Sequence, residues 1–195
     1  MFIFLKAKHQ LGFLLALFCY KLNVPIIHRN LLPFLLKVLD LSGEGAEIGV
    51  AWGNFSEKIL NGSNLNKLYS IDPWVGNCYK RYFKAANKLS IFKERSEIIR
   101  EASVQAATKI QNESLDFVYI DANHSYESVK QDLELWWPKL KKGGVFSGHD
   151  YINGQFPEGL FGVKKAVDEF LEDKNKTKPF ITPGFWPTWY FIKKF

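Results

Sequence analysis

The sequence has little cysteine, no long apolar run and no block of like charges. Its two cysteines, Cys19 and Cys78, belong to neither a CxxC nor a cysteine–histidine metal spacing. This excludes a disulfide-stapled scaffold and favours free thiols in a reducing compartment. Basic residues occur as scattered pairs, so the net charge of +6 describes a solvated surface more than a dedicated anion-binding patch.

Internal repeats and low-complexity segments are also absent from the sequence. Hydrophobic residues make up 47% of the chain and charged residues 24%, which is the ordinary balance of one folded domain. We divide the chain into an amino-terminal helical arm, residues 1–40, and a single domain, residues 41–195. Composition and cysteine usage together predict a cytoplasmic protein.

The first twenty residues raise the question of a membrane. Their charge-free stretch begins at Gln10 and ends before Lys21, and it is shorter than the roughly 20 apolar residues that a spanning helix needs. The sequence LFCYKLNV, residues 17–24 at the end of this stretch, is a poor signal-peptidase site. The favoured interpretation is a helix whose apolar face packs on the domain. Peripheral attachment to a membrane through this arm is the first alternative, and a signal or anchor is the second.

Beyond the arm, helical patterns alternate with short apolar runs bounded by Gly, Asp or Asn, which is typical of βαβ units around a mostly parallel sheet. Strands are predicted at 45–50, 67–71, 97–100, 115–120 and 144–147. Helices are predicted at 55–61, 79–90, 103–112, 126–140 and 162–173. An antiparallel edge pair ending in the aromatic segment 188–193 would close the sheet. The predicted fold class is α/β, a layered fold of helices packed on a mostly parallel sheet.

A glycine-rich turn follows the first predicted strand. It contains Glu47, Gly49 and Gly53, and its glycines let backbone amides approach a ligand closely. The spacing differs from GxGxxG, so a nucleoside site is better supported than a pyrophosphate cradle. Asp72 ends the next strand, and an acid about 20 residues beyond such a turn is placed to accept hydrogen bonds from ribose hydroxyls.

Two carboxylates and two histidines follow later strands. Asp121 and Asp150 each come directly after or close to the end of an apolar strand, so both should lie at the same edge of the sheet. Mg²⁺ accepts few protein carboxylates and keeps several waters, which suits such a pair. His124 is placed to take a proton from a nearby hydroxyl. His149 is either a third ligand, which would suit Mn²⁺ or another transition metal, or a residue that holds Asp150 in place.

These motifs carry a family resemblance over roughly residues 45–171. The pattern E-x-G-x-x-x-G that begins at Glu47, together with Asp72, resembles motifs I and II of the class I S-adenosylmethionine-dependent methyltransferases. The stretches 115–126 and 143–151 resemble the small-molecule O-methyltransferase branch, which includes the macrocin and mycinamicin sugar methyltransferases, cephalosporin hydroxylase-like proteins and, more remotely, catechol O-methyltransferase. The resemblance implies a doubly wound, Rossmann-like, mostly parallel sheet of seven strands, with a terminal antiparallel strand and helices on both faces.

The resemblance also implies roles for individual residues. The residues implied to bind the cofactor, S-adenosylmethionine, are Glu47, Gly49, Gly53, Asp72 and Ser103. The residues implied to bind a divalent metal, magnesium or manganese, are Asp121, Asp150 and His149. The residues implied to be catalytic are His124, as the general base, and Asp121. His149 departs from the family pattern, which has an acid or an Asp-Asn pair at this point.

The sequence therefore predicts metal-assisted O-methylation of a sugar or another hydroxylated small molecule. Methylation without a metal is one alternative. A non-catalytic S-adenosylmethionine-binding module in a glycan-modifying or membrane-associated assembly is another. Nucleic acid is disfavoured as a partner because neither an Asn/Asp-Pro-Pro-aromatic motif nor a dense basic groove is present. The aromatic segment 185–190 is expected to form an edge strand or a contact in a homo-oligomer.

Overall fold

The computed structural model describes residues 2–173 and 178–194. Seven helices are present in this part of the chain: α1 Phe2–Lys21, α2 Leu32–Val38, α3 Asn54–Gly62, α4 Tyr79–Leu89, α5 Ser103–Lys109, α6 Tyr126–Trp136 and α7 Val163–Asp173. The strands are β1 Glu44–Ile48, β2 Lys67–Ile71, β3 Ser96–Ile99, β4 Leu115–Ile120, β5 Leu140–Gly148, β6 Asn153–Phe156, β7 Gly159–Gly162, β8 Phe180–Ile181 and β9 Trp189–Ile192.

Seven of the strands form one sheet in the order β3-β2-β1-β4-β5-β9-β8. The pairs from β3 to β5 are parallel, whereas β9 runs antiparallel to both β5 and β8. The predicted doubly wound sheet with an antiparallel edge is thereby confirmed. Since the strand order reverses between β1 and β4, the carboxyl ends of these two strands form the crevice in which such folds bind ligands.

Alternation along β4 divides the interior into two cores. Phe117 and Tyr119 belong to the core that β4 shares with α2 and α3, whereas Val118 and Ile120 belong to the core shared with α5, α6 and α7. All four side chains are buried. A strand buried on both faces has a nearly continuous apolar sequence, which is why a strand could be predicted at 115–120.

The amino-terminal arm is continuous with the domain core. Ala16 and Cys19 of α1 are buried, and so are Leu32 and Leu36 of α2. Ile26, between the two helices, is fully buried, and its backbone amide donates a 3.0 Å hydrogen bond to Tyr190 Oη of β9. One side of α1 thus packs on the domain, as the sequence predicted.

The other side of α1 exposes Leu11, Leu14 and Phe18. Within the residues described, none of the helices combines the length and apolar character needed to cross a bilayer. Attachment to a membrane surface stays a prediction.

Several predicted boundaries shift in the structure. The helix predicted at 126–140 ends at Trp136 and continues as a 3₁₀ turn, Trp137–Lys139, because Pro138 has no backbone N–H to continue the α-helical ladder. Strand β5 then begins at Leu140, earlier than predicted. The loop between Ile152 and Gly162 is an antiparallel hairpin of β6 and β7.

Candidate active site

A cavity of about 730 Å³ opens at the carboxyl edge of the sheet, between β1 and β4. The loops after β1, β2 and β4 line it, so the three loops singled out from the sequence meet at one place. Its volume lies in the range of about 300 to 1,000 Å³ that is usual for small-molecule and cofactor sites.

Gly49 lies where the ends of β1 and β4 touch. Its φ is +92°, and a Cβ built there would lie 2.7 Å from the Cα of Ala122 and closer still to the carbonyl group of Asp121. The Gly49 amide donates a 2.9 Å hydrogen bond to Ile71 O of β2. Glycine is therefore required here for both its conformation and its size.

Asp72 fixes the turn that follows β1. Its Oδ2 accepts hydrogen bonds from the backbone amides of Val50 and Ala51, at 3.1 and 2.9 Å, and its Oδ1 accepts one from the amide of Trp74 at 2.8 Å. An ionised carboxylate offers about four acceptor positions, so three bonds leave capacity for a ligand hydroxyl. Asp72 also lines the cavity, as its predicted ribose-binding role requires.

Glu47 is an acid buried beneath the same cavity. Its side chain is 1% exposed, and the Ser56 hydroxyl donates a hydrogen bond to Oε2. Burial raises the pKa of Glu47 to about 8, and the negative charge of Asp72 adds to the effect, while Ser56 and Arg29 oppose it. The cofactor-free protein therefore holds this carboxyl largely protonated near neutral pH.

We expect replacement of Glu47 by glutamine to make the free energy of unfolding less dependent on pH. Between the ordinary pKa of 4.5 and the raised value of about 8, the folded state holds a proton that the unfolded state has lost, so this acid destabilises the parent as pH rises. The advantage of Glu47→Gln over the parent should grow by up to about 1.4 kcal/mol per pH unit across this window.

The measurement is urea unfolding of both proteins from pH 5 to pH 8.5 without cofactor. Arg29, Asp72 and Asp121 are the charged groups whose fields couple to Glu47, and they are unchanged between the two proteins. Parallel stability curves for parent and variant would contradict the expectation.

Asp121, His124 and Asp150 form a compact cluster at the edge of the cavity. One potential ligand atom from each lies within 4.8 Å of the others, and His124 Nε2 is 3.5 Å from Asp150 Oδ2. Burial and the neighbouring Asp150 hold the pKa of Asp121 well above its usual value, although Arg29 opposes this. Burial lowers the pKa of His124 despite Asp150, which keeps the imidazole neutral at neutral pH.

The donor set of this cluster fits a divalent cation. Asp150 is 7% exposed, and its buried Oδ1 accepts no hydrogen bond from the residues described. His149 Nδ1 is 2.7 Å from that oxygen, with no hydrogen bond between them. Two carboxylates are ligands that suit Mg²⁺ or Mn²⁺, and a buried carboxylate oxygen without a donor is one that a cation would satisfy.

Of the other predicted site residues, His149 borders this cluster and Ser103 stands apart from it. His149 Nδ1 is 2.7 Å from Asp150 Oδ1 and 3.9 Å from Asp121 Oδ1, while the group of converging ligand atoms consists of Asp121, His124 and Asp150. A role for His149 as a metal ligand stays a prediction. Ser103 does not line the cavity with its hydroxyl, which donates to the buried Asp132 and accepts a 2.8 Å hydrogen bond from Trp136 Nε1. A role for Ser103 in binding the cofactor stays a prediction.

Sequence reasoning missed three residues that line the cavity: Trp52, Arg81 and Arg29. Trp52 is 38% exposed on the turn after β1, with Arg81 5.4 Å from its ring centre. Trp74, close by in the chain, is buried and does not line the cavity, and its Nε1 donates a 2.8 Å hydrogen bond to Ala51 O. Arg29 of the arm also reaches the cavity. No local pattern marks Arg29, because its partner Asp121 is distant in the sequence.

The sheet order, the glycine turn and the acid at the end of β2 together define a class I S-adenosylmethionine-dependent methyltransferase. Residues 46–151 match a family model described as a methyltransferase domain, which is more than half of the chain. The chain belongs to this methyltransferase family. A relative in Acanthamoeba polyphaga mimivirus, an uncharacterized protein, is 24% identical over 148 residues. The alignment covers 72% of this chain and 66% of that relative, slightly under two thirds of its length.

Solved structures show the same fold. An O-methyltransferase from Bacillus cereus in complex with S-adenosylhomocysteine has a TM-score of 0.65, with 15% identity over 97% of this chain and 90% of that one. TomG, an O-methyltransferase of tomaymycin synthesis from Streptomyces achromogenes in complex with S-adenosylmethionine, has a TM-score of 0.64, with 15% identity over 90% and 86%. Spermidine synthase from Thermotoga maritima has a TM-score of 0.58, with 18% identity over 78% and 54%. The fold thus serves more than one named activity.

Proposed function

We propose that this methyltransferase transfers the methyl group of S-adenosylmethionine to a hydroxyl oxygen of a sugar or another hydroxylated small molecule, with the assistance of a divalent cation. The cluster of Asp121, His124 and Asp150 beside the glycine turn carries the proposal. The proposal assigns this cluster, with its neutral imidazole and two carboxylates, to the point where the acceptor meets the cofactor. The names of the B. cereus and S. achromogenes neighbours support oxygen as the atom methylated.

The residues around His124 favour an acceptor with a flat face. The His124 imidazole stacks on Phe161 of β7, with ring centres 4.5 Å apart and an angle of 21°. Phe156 of β6 lies 5.0 Å from Phe161 and 5.3 Å from Trp186. Trp186 is 40% exposed. Aromatic surfaces of this kind bind the faces of sugar and phenol rings and leave their hydroxyls free to be oriented by polar groups.

In the proposed reaction, the acceptor oxygen attacks the sulfonium methyl group as the carbon–sulfur bond breaks, and the hydroxyl proton leaves for a base. His124 takes this proton on Nε2, the nitrogen that faces Asp150. The rigid turn held by Asp72 keeps the cofactor aligned with that oxygen. Alignment of two reactants can supply about 7 to 11 kcal/mol of the barrier, so positioning by the chain carries much of the catalysis.

Asp121 and Asp150 would hold the cation, and His149 would position Asp150 through its 2.7 Å contact. When bound, the cation would lower the pKa of the acceptor hydroxyls and orient them. Two carboxylates are the small number of protein ligands that Mg²⁺ commonly takes.

The test is a methyl-transfer screen with a labelled methyl donor over a panel of glycans and phenols. We expect transfer to a hydroxylated compound, a loss of at least about 100-fold with a chelator, and recovery with Mg²⁺ or Mn²⁺. His124→Ala should lower kcat by about 100- to 10,000-fold, whereas His9→Ala, on α1 and away from the cavity, is the matched control. Transfer only to nitrogen, or full activity in chelator, would contradict the proposal.

A further inference from the structure

Arg29 lies in the cavity, although it comes from the arm. Its Nη1 is 3.5 Å from both Asp121 Oδ2 and Tyr119 Oη, and its Cζ is 5.1 Å from the centre of the Phe55 ring. The side chain is 31% exposed, and it lines the cavity. A guanidinium has five N–H donors, and these two long contacts leave most of them available to a ligand.

The backbone around Arg29 is held firmly in place. His28 caps the 3₁₀ turn Arg29–Leu31, because its Nδ1 accepts a 3.0 Å hydrogen bond from the amide of Asn30. Asn30 Oδ1 in turn accepts a 3.1 Å hydrogen bond from Lys58 of α3. Leu31, next in the chain, is buried. The guanidinium is therefore presented to the cavity from a fixed anchor, which reduces the entropy lost when it binds a ligand.

The charges of the cofactor need an acid and a cation side by side. The methionine part of S-adenosylmethionine carries an ammonium and a carboxylate on the same carbon atom. Glu47 supplies an acid at the floor of the cavity, and Arg29 is close enough to lower the pKa of that acid. Among the described residues that line the cavity, the other arginine is Arg81, whose Cζ lies 5.4 Å from the centre of the Trp52 ring.

We propose that Arg29 forms a carboxylate-binding subsite and receives the carboxylate of the methionine part of the cofactor. The inference rests on S-adenosylmethionine binding in this cavity, as in the proposed function. Its contact with Asp121 is then the arrangement of the cofactor-free protein. The arm completes the cofactor site, so its removal would cost cofactor affinity as well as core packing.

The test compares two ligands by calorimetry in chelator-containing buffer: S-adenosylhomocysteine and its analogue without the carboxylate. Charge-assisted hydrogen bonds to carboxylates are among the strongest in proteins, so we expect the parent to prefer S-adenosylhomocysteine by about 10- to 100-fold. Arg29→Met should reduce the preference below about three-fold, by weakening S-adenosylhomocysteine alone. Arg81→Met, the matched arginine of the same cavity, should keep the preference.

The outcomes separate the two proposals. An unchanged preference in Arg29→Met would overturn the role of Arg29 while leaving cofactor binding intact. A parent that binds neither ligand at millimolar concentration would overturn the use of this cavity for the cofactor. If Arg29→Met does not fold, as judged by circular dichroism, Arg29→Gln gives the same comparison, because glutamine keeps a donor for Tyr119 but no charge.

Discussion

Gly49→Ala should abolish binding of S-adenosylhomocysteine and lower the free energy of unfolding by about 3 to 5 kcal/mol. A Cβ at this position would collide with the backbone of Asp121 and Ala122. Backbone atoms cannot rotate away as a flexible side chain can, so β1 and β4 would have to separate at the point where the cavity opens. The conformation adds its own cost, because alanine is strained at a φ of +92°.

Gly143→Ala is the matched control for this experiment. Gly143 has a similar φ of +83°, but a Cβ there would meet nothing within 4 Å. It should lose only about 1 to 2 kcal/mol from backbone strain and should bind S-adenosylhomocysteine like the parent. Urea unfolding and calorimetry on the two variants separate strain from collision. Equal stability and equal affinity in the two variants would show that β1 and β4 can move apart at this point with little loss of free energy.

Asp121→Asn should lower kcat by about 100- to 10,000-fold without lowering stability. In the proposed reaction this carboxylate orients the acceptor together with Asp150 and His124. Its pKa is held well above the usual value by burial and by Asp150, so the ionised group is costly to the folded protein. Removing the charge should leave the melting temperature equal or higher. A low kcat together with an unchanged or raised melting temperature is a result that a misfolded variant cannot produce.

Asp116→Asn, in the same strand, should have the opposite effects: lower stability and an unchanged kcat. Asp116 is at the other end of β4, where it accepts a 2.6 Å hydrogen bond from the amide of Gly43 and pairs with Lys141 at 2.8 Å. Its loss should reduce stability by about 1 to 2 kcal/mol and leave kcat unchanged. Steady-state kinetics and thermal unfolding of both variants test this contrast. A kcat for Asp121→Asn within three-fold of the parent would remove Asp121 from the reaction.

The acids of the cavity show how function opposes stability in this protein. Glu47 and Asp121 both have raised pKa values because the fold buries them. The cofactor's ammonium, its sulfonium and the proposed cation all bring positive charge to this place. The cofactor-free fold therefore bears a cost that its ligands offset, and binding of those ligands should stabilise it.

Much of the fold could be predicted because its signals are local. The apolar run at 115–120 predicted the central strand β4, and β2 has the bounds that the sequence predicted. Gly49, Asp72 and Asp121 were found because parallel strands bring residues at their carboxyl ends to one edge of the sheet. The chain near Ile152 was harder to predict, since the β6–β7 hairpin depends on packing against Tyr126 and Trp186.

By itself, the sequence determined the bounds of β2 and β4, the glycine turn after β1 and the acids Asp72 and Asp121 that follow β2 and β4, because each depends on residues adjacent in the chain. Only the tertiary structure decided that His124 joins Asp121 and Asp150, and that Arg29 reaches the same cavity. Those contacts depend on side-chain direction and on how the arm packs beside β9. Neither the side-chain directions nor the packing of the arm can be predicted from a sequence pattern, since each is set by packing between distant segments.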